Sequence, residues 1–183
     1  EFVFVCIDRG GRATPVPPHL GRFLTTPPLQ PPGVQRMTVN GVSLAVEVRG
    51  KGPAVLFVHG YPLDRTLWAP QLAGLEGYRL IAPDLRGLGL SDAPDLGYSM
   101  PTYAVDLAGL LEAPQVDEVV LVGLSMGGYV AFEFLRRHRE RARALVLMDT
   151  RAEADAPDVR RARDQQASLA REQGAAAIAE QML

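Results

Sequence analysis

Short apolar runs alternate with longer stretches of helical periodicity through the middle of this 183-residue chain. The apolar runs are too short for buried helices and are typical of strands that are covered on both faces. They predict strands near residues 54–58, 78–82, 117–122 and 143–148. The stretches between them predict helices near residues 65–74, 101–113 and 126–138. Because the two kinds of element alternate, the pattern predicts an α/β fold whose mostly parallel sheet carries helices on both faces.

The regions that flank this pattern have a different composition. Asn40-Gly41 lies between two alternating runs, which predicts an antiparallel hairpin on a type I′ turn. Residues 1–35 hold seven of the fifteen prolines and are predicted to form an irregular arm, because proline interrupts both ladders and helices. Residues 154–183 are rich in Ala, Arg, Glu and Gln and predict further helices. We therefore place the core of the domain at residues 36–153.

Overall composition narrows the classes of function. A net charge of −2 gives no reason to expect nucleic acid or an anionic membrane as a partner. No apolar run approaches the roughly 18 residues of a membrane span. The single cysteine, Cys6, cannot form an internal disulfide, which favours a reducing compartment such as the cytoplasm. We expect a small-molecule substrate, no metal and no cofactor.

A glycine-rich turn surrounds a serine at the end of the third predicted strand. The apolar run 119–122 continues into Gly123-Leu124-Ser125-Met126-Gly127, and a helical pattern follows at once. A serine on a strained strand-to-helix turn needs neighbours without Cβ atoms. The helix N-terminus would direct free N–H groups at an oxyanion. The pattern predicts that Ser125 is a nucleophile, the alternative being a turn that only caps a helix.

Three motifs occur in an order that is known from one enzyme superfamily. They are His59-Gly60-Tyr61-Pro62 with Trp68 downstream, Asp84-Leu85-Arg86-Gly87-Leu88-Gly89-Leu90-Ser91, and Gly123-Leu124-Ser125-Met126-Gly127-Gly128. From about Met37 onwards the chain resembles the α/β-hydrolase superfamily, in particular its small esterase, enol-lactonase and cofactor-free haloperoxidase branches. The resemblance implies that the backbone N–H groups of Tyr61 and Met126 form an oxyanion hole, and that residues 154–183 begin a helical cap. Because residue 125 is serine, the branches with an aspartate nucleophile (dehalogenases and epoxide hydrolases) are disfavoured.

A serine hydroxyl needs a general base and a group that orients this base. The resemblance implies that the acid and then the histidine follow the serine in the chain. His138 is the one histidine after Ser125. It would lie about 20 Å from Ser125 along the predicted helix, too far to reach the hydroxyl. His59 is expected to support the oxyanion loop, and His19 lies in the proline-rich arm. Asp149, at the end of the fourth predicted strand, is the candidate acid. The alternative role of Asp149 is to cap or hydrogen-bond a loop.

The missing base leads to three hypotheses. In the first, the chain is the N-terminal part of a serine hydrolase that acts on small carboxylic esters or lactones, and the edge of strand 143–148 is left open. In the second, Phe2–Asp8 replaces a late strand of the family, with Asp8 as the acid and His19 as the base. In the third, the fold is non-catalytic and binds a ligand or a partner. The sequence determines neither the substrate nor the oligomeric state.

Overall fold

The computed structural model describes residues 4–7, 13–14, 33–113 and 115–181. Its strands are β1 (Phe4–Ile7), β2 (Ala13–Thr14), β3 (Val34–Val39), β4 (Val42–Arg49), β5 (Ala54–Val58), β6 (Arg79–Pro83), β7 (Val119–Leu124) and β8 (Ala142–Met148). Its α-helices are α1 (Ala69–Gly74), α2 (Met100–Leu110), α3 (Met126–Arg137), α4 (Pro157–Gln173) and α5 (Ala175–Gln181), with 3₁₀ turns at Arg65–Trp68 and Arg139–Arg141. The strands and helices predicted between residues 54 and 148 are confirmed with small shifts of their ends.

The residues fall into two compact units, Glu1–Arg151 and Ala152–Leu183. The second unit consists of α4 and α5, which contact each other, and no residue of α4 is buried. Its assignment to a cap stays a prediction. Within the described ranges, no helix is both long and apolar enough to cross a bilayer.

The strands of the first unit form one mixed sheet in the order β2-β1-β8-β7-β5-β6-β4-β3. Strands β8, β7, β5 and β6 are parallel, whereas β4 pairs antiparallel with β6. The chain passes from β5 to β6 on one side and then returns to β7 on the other side of β5. The carboxyl ends of β5 and β7 therefore form a topological switch point, the place where open α/β sheets bind their ligands.

The hairpin that was predicted at Asn40-Gly41 is confirmed. Strands β3 and β4 pair antiparallel, and Val39 lies opposite Val42, so the loop has two residues. Both loop residues have positive φ angles, 47° at Asn40 and 76° at Gly41. This is the condition for a type I′ turn, and asparagine and glycine are the residues that tolerate it best.

The expectations for the N-terminal region need two corrections. Strand β1 pairs antiparallel with β8, so the edge that we expected to be open is occupied. The expectation of an irregular arm is therefore wrong for Phe4–Ile7 and Ala13–Thr14. The prolines of this region lie at residues 15–32, and the apolar run before them is free to pair.

The core of the sheet is covered on both faces, as predicted. Helices α2 and α3 lie on one face, where Leu107 and Phe134 are fully buried. On the other face, Trp68 and the helix that follows it pack on β5, and the rings of Trp68 and Phe57 are 5.1 Å apart. The helices thus hold the carboxyl ends of β5 and β7 from both sides.

A buried ion pair fixes the loop that follows β6 to helix α2. The Arg86 guanidinium donates two hydrogen bonds of 2.8 Å to the Asp106 carboxylate, and both residues are buried. Asn40 Nδ2 donates to the same carboxylate at 3.0 Å, which ties the hairpin turn to this pair. Arg86 therefore anchors this loop to both α2 and the hairpin turn.

We expect Asp106→Ala to lower the free energy of unfolding by about 3 kcal/mol, because it leaves the buried Arg86 without its carboxylate. Urea unfolding followed by Trp68 fluorescence measures the change. The control is Arg136→Ala, which removes an exposed partner of Glu133 and should leave the unfolding curve almost unchanged. Equal losses in both variants would contradict the structural role of the Arg86–Asp106 pair.

Candidate active site

Ser125 occupies a sharp turn between β7 and α3. Its φ and ψ angles are 50° and −114°, a region that residues with a Cβ atom rarely adopt. Such a conformation costs about 1–3 kcal/mol and persists only where the surroundings enforce it. The turn is held by the Ser125 N–H, which donates to the Met148 carbonyl at 2.8 Å, and by the Gly128 N–H, which donates to the Ser125 carbonyl at 2.9 Å.

The glycines around Ser125 permit close contact between backbones. A Cβ atom at Gly123 would lie 2.5 Å from the Gly127 carbonyl oxygen. A Cβ atom at Gly127 would overlap the Val58 carbonyl oxygen, and its distance to the His59 carbonyl oxygen would be 2.8 Å. The N-terminal turn of α3 can therefore lie directly against the end of β5.

The loop after β5 lies beside Ser125. A Cβ atom on Gly60 would be 3.3 Å from the Ser125 Cβ, so the two residues are in close proximity. Tyr61 follows Gly60 and is 49% exposed. Met126 is the first residue of α3, where backbone N–H groups have no intrahelical acceptor. Met126 thus directly follows Ser125, and Tyr61 follows Gly60, which lies beside Ser125. That their N–H groups form an oxyanion hole stays a prediction.

His59 is a fully buried structural residue. The Leu85 N–H donates to His59 Nε2 at 3.0 Å, so the ring proton lies on Nδ1, which donates to the Gly60 carbonyl at 2.9 Å. Burial lowers the pKa of His59 below its ordinary value of 6.5. Both ring nitrogens are hydrogen-bonded, so His59 links the loop after β5 to the loop after β6 and has no nitrogen free to act as a base.

The other predicted site residues are only partly brought together. Asp149 follows β8, which lies next to β7 with Met148 opposite Leu124, so Asp149 is a close neighbour of Ser125. Asp149 is exposed and has a φ angle of 46°. His138 ends α3, at the far end of the helix from Ser125, and packs on Phe134. Asp8 and His19 lie outside the described residues.

Sequence reasoning missed the partner of Asp84. The Asp84 carboxylate is fully buried and accepts hydrogen bonds from Arg65 Nη1 at 2.5 Å and from the Arg65 N–H at 2.7 Å. The Leu90 N–H also donates to it at 2.8 Å. Asp84 therefore joins the 3₁₀ turn that begins at Arg65 to the loop after β6. A charged residue in a short 3₁₀ turn, 19 positions away, gives no sequence signal for this pair.

Sequence reasoning also missed Thr150. Its hydroxyl donates to the Ser125 carbonyl at 2.9 Å. The only available signal was a hydroxyl residue directly after the strand that adjoins the turn.

Across the described ranges, no group of three or more His, Cys, Asp or Glu side chains is placed to hold a metal ion.

We expect Gly127→Ala to destabilise the fold by about 1–3 kcal/mol, because its Cβ would collide with backbone that cannot rotate away. Gly74→Ala is the matched control. Gly74 is also helical, nothing lies within 4 Å of its Cβ position, and the substitution should stabilise the helix by up to about 1 kcal/mol. Thermal unfolding of both variants gives the comparison, and a harmless Gly127→Ala would argue against the close contact with β5.

We expect the free energy of unfolding to fall as the pH is lowered below about 6.5. In that range the unfolded chain binds a proton on His59, while the buried ring resists protonation, so acid favours the unfolded state. Urea unfolding between pH 8 and pH 5 measures this slope. His59→Asn should be less stable but show a shallower slope, whereas the destabilised control Val55→Ala should keep the original slope. An unchanged slope in His59→Asn would refute the linkage.

Comparison with known proteins places this geometry in a family. A family model described as the alpha/beta hydrolase fold matches residues 53–175. Epoxide hydrolase 2 of Siraitia grosvenorii is 43% identical over 114 residues, which are 60% of this chain and 36% of that protein. The chain thus spans little more than a third of the length of such curated relatives.

Solved structures agree with this assignment. A malate-bound thermophilic esterase from Thermogutta terrifontis has 42% identity and a TM-score of 0.72, covering 81% of this chain and 57% of the esterase. Est816, described as an N-acyl homoserine lactone degrading enzyme, has 30% identity and a TM-score of 0.55, covering 59% of this chain and 42% of Est816. With its sheet, its helices on both faces and its match over residues 53–175, the chain belongs to the alpha/beta hydrolase family.

Proposed function

We propose that Ser125 is the nucleophile of a hydrolase that acts on small carboxylic esters or lactones. The observation that carries this proposal is the backbone of Ser125, held at a φ angle of 50° at the start of α3 and in close proximity to Gly60. Strain of this kind at a switch point is typical of a residue kept for chemistry, because a purely structural turn would favour glycine.

The reaction would proceed through an acyl-enzyme. Ser125 Oγ attacks the carbonyl carbon of the substrate and loses its proton to a base, while the N–H groups of Tyr61 and Met126 donate to the oxyanion. The C–O bond to the leaving alcohol breaks, and the alcohol takes the proton. Water then attacks the acyl-enzyme, which releases the carboxylic acid and restores the hydroxyl. A lactone opens in the same way, but its alcohol stays attached to the acyl group.

The choice of a carbonyl substrate over an epoxide follows from the nucleophile. When a carboxylate nucleophile opens an epoxide, it forms an ester, which water can cleave. A serine hydroxyl that opened an epoxide would form an ether, which water does not cleave, and the enzyme would be spent after one reaction. Relatives named epoxide hydrolases and a relative named an esterase are comparably similar to the chain in sequence. Ser125 favours the esterase and lactonase chemistry.

The general base must come from outside the described residues. Within residues 33–113 and 115–181, the histidines are His59, whose nitrogens are both hydrogen-bonded, and His138, at the wrong end of α3. His19 or a segment beyond this chain would supply the base. We propose Asp149 as the group that orients it, because Asp149 is exposed beside the turn of Ser125.

The second candidate function is non-catalytic. An alpha/beta hydrolase fold without a base near its serine can bind a small ligand or a protein partner at the same switch point. The observation that favours it is the engagement of both nitrogens of His59. The two candidates differ in one measurable property, the reactivity of the Ser125 hydroxyl.

We expect a fluorophosphonate probe to label Ser125 weakly in this chain and faster when imidazole is added, because free imidazole can act as the base that the described residues do not supply. Intact and peptide mass spectrometry identify the modified residue. Ser125→Ala should abolish labelling, and the control Ser168→Ala, at an exposed position of α4, should not. Labelling that survives in Ser125→Ala would reject the nucleophile. No labelling at any imidazole concentration would favour the non-catalytic candidate.

A further inference from the structure

The Thr150 hydroxyl is bonded to the peptide unit that carries one of the proposed oxyanion donors. Thr150 Oγ1 donates to the Ser125 carbonyl oxygen at 2.9 Å. This carbonyl and the Met126 N–H belong to the same planar peptide group, in which C=O and N–H point in opposite directions. Whatever fixes the direction of the Ser125 carbonyl therefore also fixes the direction of the Met126 N–H.

The side chain of Thr150 packs directly against α3 at Gly128. A Cβ atom on Gly128 would lie 2.5 Å from both Thr150 Oγ1 and Thr150 Cγ2, so the absence of a side chain at residue 128 makes room for the threonine. Threonine is also restricted at χ1 by its branched Cβ. The hydroxyl is thus directed at the carbonyl with little freedom to turn away.

The bond has an electronic consequence as well as a geometric one. The Ser125 carbonyl accepts from the Thr150 hydroxyl and from the Gly128 N–H at once. Hydrogen bonds to a carbonyl polarise its peptide group and make the attached N–H a better donor. The Met126 N–H would therefore be aligned and polarised before the reaction, and it would donate to the oxyanion as soon as this forms.

We infer that Thr150 is a positioning residue, which aligns and polarises the Met126 N–H toward the oxyanion. The inference rests on the proposed function of Ser125, but the geometry of the Met126 amide can be measured independently of any activity. It also gives the segment after β8 a role in the site that does not depend on Asp149.

Three variants separate this role from simple packing. Thr150→Val keeps the shape of the side chain and removes the hydroxyl, while the Gly128 N–H still satisfies the carbonyl, so the variant should fold. Thr150→Ser keeps the hydroxyl and removes the methyl group. Gly128→Ala keeps the threonine but displaces its side chain.

The first measurement is the ¹H–¹⁵N NMR signal of the Met126 amide in the full 183-residue chain. We expect an upfield proton shift in Thr150→Val and in Gly128→Ala, and recovery in Thr150→Ser. The amide of Ala131, further along α3, should keep its shift in the Thr150 variants. A Met126 signal that is the same in Thr150→Val and in the unmodified chain would overturn the inference, whatever the outcome for Ser125.

The second measurement is the rate of imidazole-assisted fluorophosphonate labelling at Ser125. We expect Thr150→Val to label about 3- to 10-fold more slowly, the size expected from one neutral hydrogen bond, and Thr150→Ser to label at nearly the original rate. If Thr150→Val and the unmodified chain label at equal rates, the inference is refuted while the nucleophile stands. If Ser125 is not labelled in any variant, the proposed function fails and the Met126 signal alone decides the inference.

Discussion

The candidate site depends on one steric constraint, the direct contact between the first turn of α3 and the end of β5. The carbonyl oxygens of Val58 and His59 occupy the space that a side chain on Gly127 would need. Since the two backbones touch, the turn at Ser125 has little room to relax into a less strained conformation. The same contact brings Gly60 next to Ser125. The strain at Ser125 and its proximity to Gly60 are thus two results of one missing Cβ atom.

Buried polar groups extend this constraint to the loops that surround the turn. His59 joins Gly60 to Leu85, and Asp84 joins Arg65 to Leu90. The bonds of His59 and the Arg65–Asp84 pair are buried. Buried bonds gain in electrostatic strength, and their polar groups are costly to leave unpaired. The loops at the carboxyl edge therefore behave as one connected layer, although their residues come from separate parts of the sequence.

Local features of the sequence predict most of this fold. The apolar runs locate β5 and β7 because buried parallel strands leave a continuous apolar pattern, and Asn40-Gly41 locates the hairpin because few residues accept its φ angles. Pairings between distant segments could not be predicted. Strand β1 finds its partner far along the chain, and nothing in the sequence near Asp84 indicates Arg65. Long-range contacts of this kind depend on how elements meet in space.

The oxyanion groups of the proposed site have a consequence for how its selectivity could diverge. Both are backbone N–H groups, so the side chains of Tyr61 and Met126 are not needed for charge stabilisation. Tyr61 is half exposed, whereas Met126 is partly buried and packs against the hydrophobic core. Mutation of Tyr61 would therefore change the surface that a substrate meets at the proposed site and keep the backbone donor. A catalytic element made of main-chain atoms separates the evolution of specificity from the evolution of rate.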